Sequence, residues 1–327
     1  MSETIDTVYH YCNLETLLSI FHNKTIRLSD INKSNDYLET KSTIDSIKKA
    51  IVDLCNQNSI DKYQQIMLGI DNESAIKHLI DIVLNRFINY KDTLVYAACF
   101  SEIPDLLSQW CEYADNGKGV AIGFNVECLK KICESSEDFL KFKQVRYIDE
   151  KNSFFDEMIN KYANEFYGEI ISALINGTLD ELFTNPYGTD FEAVIMQQRL
   201  IRDSVFTKHE SFSAEKEWRI VLEDEELQKT YDDWENYYNW NEGEFSEGLM
   251  KLIPKGLKFR SIGDDIISYL DLSFKEYKDE VINCIYIGPN CKAQIDDIYH
   301  IIQHFGFCNF DTEHIYLSKS PYRSIKI

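Results

Sequence analysis

Two hydrophobic rhythms share this chain, one of period two and one of helical spacing. They alternate without the regular strand–helix–strand spacing of a doubly wound sheet. Thr7–Cys12 (TVYHYC) is β-branched and aromatic and predicts a strand. Asn13 follows as an N-cap, and Leu14, Leu17, Leu18 and Phe21, spaced i, i+3, i+4 and i+7, predict a helix over Leu14–Asn23. Thr25–Leu28 is a short second strand, and a polar loop, Ser29–Glu39, leads to two helical stretches at about Lys41–Cys55 and Asp61–Asn89. Leu94–Ser101 has the apolar run of a buried strand, and Pro104 opens a helix over Asp105–Tyr113. Val120–Phe124 predicts a strand, Val126–Cys133 a helix, Phe142–Ile148 a strand, Asn152–Asn176 a long helix and Phe191–Val205 another. Farther on, Leu249–Pro254 and Leu257–Ile262 are expected to pair as strands. Val281–Gly288 is a buried strand, Lys292–Phe305 an amphipathic helix and Ile315–Leu317 a last strand. This mixed order predicts an α+β fold: a central, mostly antiparallel or mixed sheet with long helical insertions at about 41–90 and 151–205, in a single domain over 1–327.

The stretch richest in chemistry is Lys208–Leu222, KHESFSAEKEWRIVL. Trp218, Ile220 and Leu222 alternate with Glu217, Arg219 and Val221 and predict a strand. Glu215 and Glu217 stand two apart at its mouth, a spacing that on a strand puts both carboxylates on one face, flanked by Lys208, His209 and Arg219. Two like charges held close are expected to push one carboxyl pKa up and so prepare it for acid–base work. The plain alternative is an edge strand with solvated acids and a cross-strand arginine partner.

Composition narrows the function. The net charge of −21 disfavours nucleic acid and anionic membrane as partners, because neutralising a phosphate backbone needs Lys and Arg. Nine cysteines without paired C-x-x-C spacing, and no basic and apolar leader at the N-terminus, predict a reducing, cytoplasmic setting. No apolar run reaches the ~18 residues of a membrane helix. His300 and His304, at i, i+4 with Cys308 and His314 nearby, have zinc-like spacing but lack the adjoining Glu of H-E-x-x-H, and no metal is expected. Gly117-Lys118-Gly119 is too short for a phosphate loop. Asn35, Asp36 and Glu39 either face a ligand or serve turn chemistry, and the acidic, aromatic segment at about 223–247 is either a partner-binding lid or a solvated surface. Trp110 and Tyr113 lie on one helix face, able to stack a flat ring or to fill core.

The segments YHYCNLETLLSIFHNKTIRLSD, Asn35-Asp36-x-x-Glu39, CFSEIPDLLSQWCEYADNGKGVAIGF, EKEWRIV and IYIGPNC together resemble a bacterial family of unknown function, DUF2971, with Tyr37 standing where that family typically has Pro. The opening YHYCNLETLLSI also looks like that of DNA-targeting ADP-ribosyltransferase toxins. That second resemblance implies a sheet of ADP-ribosyltransferase-like type and NAD as a substrate. His10 on the first strand would contact the NAD ribose beside Tyr9, Ser101 would end the middle strand (here without a full S-T-S), and Glu217 would stabilise the oxocarbenium ion. Glu215 would position or activate the acceptor, Trp110 or Tyr113 would stack nicotinamide, and Lys208, Arg219 or Arg27 would hold the pyrophosphate. The expectation is therefore an NAD-consuming transferase or glycohydrolase, a toxin or anti-phage effector in role, with a regulatory or target protein as a second partner. Two rivals stand beside it. One is a non-enzymatic nucleotide-sensing or interaction module of a defence system, in which Glu217 pairs structurally with Arg219 or Lys208. The other is a metal-dependent nuclease using Asp36, Glu39, Glu215 and Glu217.

Overall fold

The computed structural model describes residues 5–33, 45–47, 49–51, 53–54, 95–136, 139–148, 153–176, 203–222, 251–253 and 256–322. The Asn35–Glu39 loop, the helical stretch at Asp61–Asn89, the acidic segment at 223–247 and most of Phe191–Val205 lie outside these residues, and Lys41–Cys55 lies only partly within them.

The opening of the chain forms as its pattern predicts. Strand β1 spans Thr7–Cys12 and helix α1 Leu14–Asn23. The Asn13 side chain accepts from the Thr16 N–H at 2.8 Å, and Lys24, at φ 56°, ends the helix in the left-handed region. Strands β2 (Thr25–Asp30) and β3 (Tyr96–Ser101), helix α2 (Leu107–Glu112), strand β4 (Val120–Asn125) and helix α3 (Val126–Glu134) follow. The single strand expected at Phe142–Ile148 is two, β5 (Leu140–Gln144) and β6 (Arg146–Ile148). The break falls at Val145, whose N–H bonds the Glu217 carbonyl. Helix α4 spans Ser153–Asn176, and β7 (Thr207–His209) pairs parallel with β6 in a small second sheet. Strand β8 is Glu217–Leu222. Leu249–Pro254 is not the partner of the next strand, since Lys251 and Leu252 are helical. Strand β9 (Lys258–Ile262) instead makes a hairpin with β10 (Asp265–Ser273), turning at Gly263 with φ 61°. Strand β11 (Ile282–Ile287), helix α5 (Ile295–His304) and strand β12 (Ile315–Leu317) complete the fold.

The main sheet is antiparallel throughout except where β12 lies parallel to β11. It runs β12-β11-β4-β1-β3-β2-β10-β9, with β8 added on β3 and β5 on β8. This makes the protein α+β around a mixed, mostly antiparallel sheet.

Strand β3 is the branch point. Strand β8 pairs one of its edges from Tyr96 to Ser101. Its other edge is divided: β2 takes Tyr96 and Ala97 at one end, and β1 takes Ser101 at the other. Between them the sheet forks. The face carrying Val8, Leu28, Tyr96, Phe100, Ile122, Ile220 and Ile285 is packed into one hydrophobic core with α1, α3 and α5. The opposite face is polar over β8, β3, β2 and β10, and aromatic under β1 and β4, where Tyr11, Trp110, Ala114 and Ala121 form a smaller cluster.

Two turns meet at the start of β4. A Cβ on Gly119 would stand 2.0 Å from the Cys12 carbonyl oxygen, and one on Gly288 would stand 2.4 Å from that of Gly117, so the backbones touch where a side chain has no room. A Cβ on Gly168, in α4, meets nothing within 4 Å. We expect Gly119→Ala to destabilise by about 3 kcal/mol or more, and Gly168→Ala to stabilise by up to about 1 kcal/mol. Urea denaturation midpoints measure both, and equal midpoints for the two variants would contradict the close approach.

Candidate functional site

Glu215 and Glu217 come together, but not by strand period. Glu210–Glu215 is a 3-10 turn, Lys216 follows at φ 45° in the left-handed region, and only Glu217 lies on β8. Ser101 clamps this turn to the end of β3. Its buried hydroxyl donates to the Glu215 carbonyl at 2.6 Å and accepts from the Ile103 N–H at 3.1 Å, while the Glu102 N–H bonds the Lys216 carbonyl.

The two carboxylates close on Lys208, which arrives from β7. Its Nζ lies 2.8 Å from Glu215 Oε2 and 3.2 Å from Glu217 Oε2. Arg219, two residues along β8, grips Glu217 through Nε to Oε1 at 2.7 Å and through NH2 to Oε2 at 3.0 Å, and gives NH1 to the Val205 carbonyl at 2.6 Å. The Glu217 N–H donates to the Tyr147 hydroxyl at 2.7 Å. All four charged residues are buried: Lys208 and Arg219 are 2% exposed, Glu217 5% and Glu215 6%. Among the described residues these two acids and two bases balance in charge, which favours a cluster this deep.

For Glu217 the shift runs opposite to the rise expected of one acid in the pair. Burial does push Glu217 up, but the Arg219 guanidinium, followed by Lys208, outweighs burial and holds the carboxyl down at about 2. Its partners, not a like-charged neighbour, decide its state.

Register then places the other predicted residues. Tyr9 faces Ser101 and Ser101 faces Glu217, so these three share the polar face. Cys99 and Arg219 face each other one step along, and Ala97 faces Ser29. From Ser29 the same face continues to Arg27 on β2, to Tyr269 and Asp271 on β10, and to Lys258 and Arg260 on β9. His10 follows Tyr9 and starts on the core side, edge-on to Phe100 at 5.9 Å. Its Nδ1 turns into the fork and bonds the Cys99 carbonyl at 3.0 Å. A carbonyl only accepts, so Nδ1 carries the proton. Burial holds the His10 pKa below its ordinary value, and Arg260 adds to that. Cys99, in the middle of a central strand, is nevertheless exposed, which marks the fork as open on this face.

Trp110 is not a stacking platform. It is fully buried, edge-on to Tyr11 at 4.8 Å, and its Nε1 donates to Asp105 at 2.6 Å, so its ring belongs to the aromatic cluster beneath β1. Tyr113, one turn along, is exposed. Tyr9 packs edge-on to Tyr286 at 5.8 Å. Among the described residues no group of three or more His, Cys, Asp and Glu side chains is arranged to hold a metal ion. His300 and His304 sit beside Tyr299 and Phe305, and His314 bonds Asp311.

Residues 109–220 match the model of a family described as a protein of unknown function (DUF2971). The DUF2971 match bears out the family resemblance over that segment, and it contains Lys208, Glu215, Glu217 and Arg219 together. His10, Arg27 and Arg260 lie outside it. No curated protein and no solved structure matches the chain.

Sequence reading did not single out Arg260. It lies on an outer strand with no motif around it, and it reaches Ser29 only through a pairing 231 residues away in the chain. Nothing local in KFRSI signals that contact.

The depressed Glu217 pKa has a signed consequence. A carboxyl lowered by folding adds stability that is complete above its unfolded pKa, near 4.3, and is lost as the pH falls towards about 2. Glu217 therefore contributes on the order of 3 kcal/mol at neutral pH, lost over that acid window. We expect Glu217→Gln to destabilise by about 3–5 kcal/mol at pH 7, because Arg219 and Lys208 lose their counter-charge. The same variant should flatten the acid limb of stability against pH between 4 and 2 relative to the parent. Chemical denaturation at stepped pH measures both.

Proposed function

We propose that this chain is a nucleotide-binding module whose ligand lies across the polar face of the forked sheet. The Lys208–Glu215–Glu217–Arg219 cluster is then its rigid frame rather than its chemistry. The observation that carries this reading is the division of labour on that face. Glu217 has Arg219 on both carboxylate oxygens and Lys208 on one, with 6% of its side chain exposed. A carboxylate that stabilises an oxocarbenium ion must instead be open to a ribose hydroxyl. Across the fork, Arg27 and Arg260 have no carboxylate partner among the described residues. The acids are paired, and the cations farther along the sheet, Arg27 on β2 and Arg260 on β9, have no carboxylate partner among the described residues, which favours binding an anionic ligand over acid catalysis.

NAD, implied by the ADP-ribosyltransferase resemblance, enters as a candidate ligand. One observation favours the second reading, an NAD-consuming ADP-ribosyltransferase-like enzyme: Tyr9, Ser101 and Glu217 stand in register across three neighbouring strands, next to His10 in the fork. The nuclease reading gains less: of its four acids, Asp36 and Glu39 lie outside the described residues, and Glu215 and Glu217 are paired with Lys208 and Arg219.

The binding reading predicts that NAD or ADP at about 100 times its Kd adds about 2.7 kcal/mol of stability, seen as a rise in Tm, while nicotinamide release stays at the buffer rate. Steady nicotinamide release, abolished in Glu217→Asp with the Tm retained, would establish the enzyme instead. No Tm rise with any adenine nucleotide would remove the nucleotide reading.

A further inference from the structure

We infer that Arg27 and Arg260 form a phosphate-binding clamp at the open side of the sheet fork, a site for the phosphate or pyrophosphate group of the bound molecule. This deepens the nucleotide-binding reading and rests on it for the rest of the ligand.

The two arginines meet over β2 and β10. The Arg27 guanidinium lies on the Tyr269 ring, 5.0 Å from its centroid, and donates NH2 to Ser19 Oγ at 3.3 Å. Arg260 crosses from β9 to give its NH2 to Ser29 Oγ at 3.3 Å, and Ser29 faces Tyr269 in the register. The two guanidiniums are close enough that Arg27, after burial, lowers the pKa of Arg260.

Each would ordinarily be neutralised by a carboxylate. The nearest candidate in register is Asp271, opposite Arg27, and its carboxylate is taken by Lys258. Arg260 Nε is buried without a hydrogen-bond partner among the described residues. An orphaned N–H on a half-buried cation, with a second cation beside it, is unfavourable in an empty site. Fixed forks of N–H donors suit the paired oxygens of a phosphate, and one anion would satisfy Nε and relieve the repulsion of Arg260 by Arg27. Among the described residues the anion at this site is Asp271, already paired with Lys258; Ser19 and Ser29 are neutral, and His10, held neutral by burial, keeps its proton on Nδ1 for Cys99.

The test uses the full chain and its Arg260→Gln, Arg260→Lys and Arg27→Gln variants. Binding of sodium pyrophosphate, ADP and adenosine is measured by calorimetry and thermal shift, with sodium chloride at matched ionic strength as control. We expect pyrophosphate and ADP, but not chloride, to raise the parent Tm. Arg260→Gln should weaken pyrophosphate and ADP by about tenfold or more, the loss of one charge-assisted contact, and Arg260→Lys by less. Unliganded Arg260→Gln should melt at or above the parent temperature, because it removes an unsatisfied charge; a purely structural arginine would lower it. Equal pyrophosphate affinity in the parent and both glutamine variants, or a Tm rise matched by chloride, overturns the clamp. The two readings fail separately. ADP binding that ignores Arg260 and Arg27 defeats the clamp and leaves the nucleotide module. Pyrophosphate binding that depends on Arg260 but gains nothing from adenosine defeats the nucleotide module and leaves the clamp.

Discussion

Four charges buried beside the β3–β8 seam organise the polar half of this protein. Lys208 arrives from β7, Glu215 from a 3-10 turn, and Glu217 and Arg219 from β8, and no one of them is stable there without the others. A lone ion at that depth would be strongly disfavoured, whereas a neutral set with short, directed hydrogen bonds is tolerated. Satisfying the set fixes the local backbone. Arg219 reaches the Val205 carbonyl, Tyr147 takes the Glu217 N–H, and Ser101 ties the Glu215 turn to the end of β3. The charges thus weld β8, the small β6–β7 sheet and the end of β3 into one unit. That specificity explains why ionic groups occupy a place where well-packed apolar residues would serve stability as well.

With that unit rigid, the fork opposite it acquires a defined shape. Strand β3 gives one whole edge to β8 and shares the other between β1 and β2, so the middle of that edge is left to the His10 imidazole. The exposed Cys99 lies there, with the ion-paired Glu215–Glu217 cluster on one side and two arginines on the other. With an overall charge of −21, Arg27 and Arg260 without a carboxylate partner among the described residues stand out, and an anion held there would depend on short-range hydrogen bonding rather than long-range attraction.

The gap between expectation and geometry at Glu217 follows from what E-x-E spacing leaves out. Two acids two positions apart predict proximity, and proximity predicts a raised pKa only if the acids have each other as their main electrostatic neighbours. Here Lys208 sits between them and Arg219 binds Glu217 in two places, so the sign reverses. Lys208 and Arg219 were both visible in the sequence as flanking residues. Which of them pointed inward was not, because the left-handed Lys216 and the 3-10 turn change the direction in which Glu215 leaves the chain. Trp110 is the same lesson for an aromatic: helical spacing with Tyr113 says they are neighbours, and only burial against Tyr11 says which one is core.

What the chain settled by itself was local. Thr7–Cys12, Leu14–Asn23, Glu217–Leu222 and Ile315–Leu317 begin and end where alternation, caps and β-branched content put them, because those signals act over a few residues. The α+β class and the family resemblance over 109–220 were legible for the same reason. Tertiary structure alone decided the division of β3's edge, the partner of β9 and the meeting of Arg260 with Ser29 across 231 residues. Strand order and long-range side-chain contacts depend on which surfaces pack together, and no short stretch of sequence carries that information.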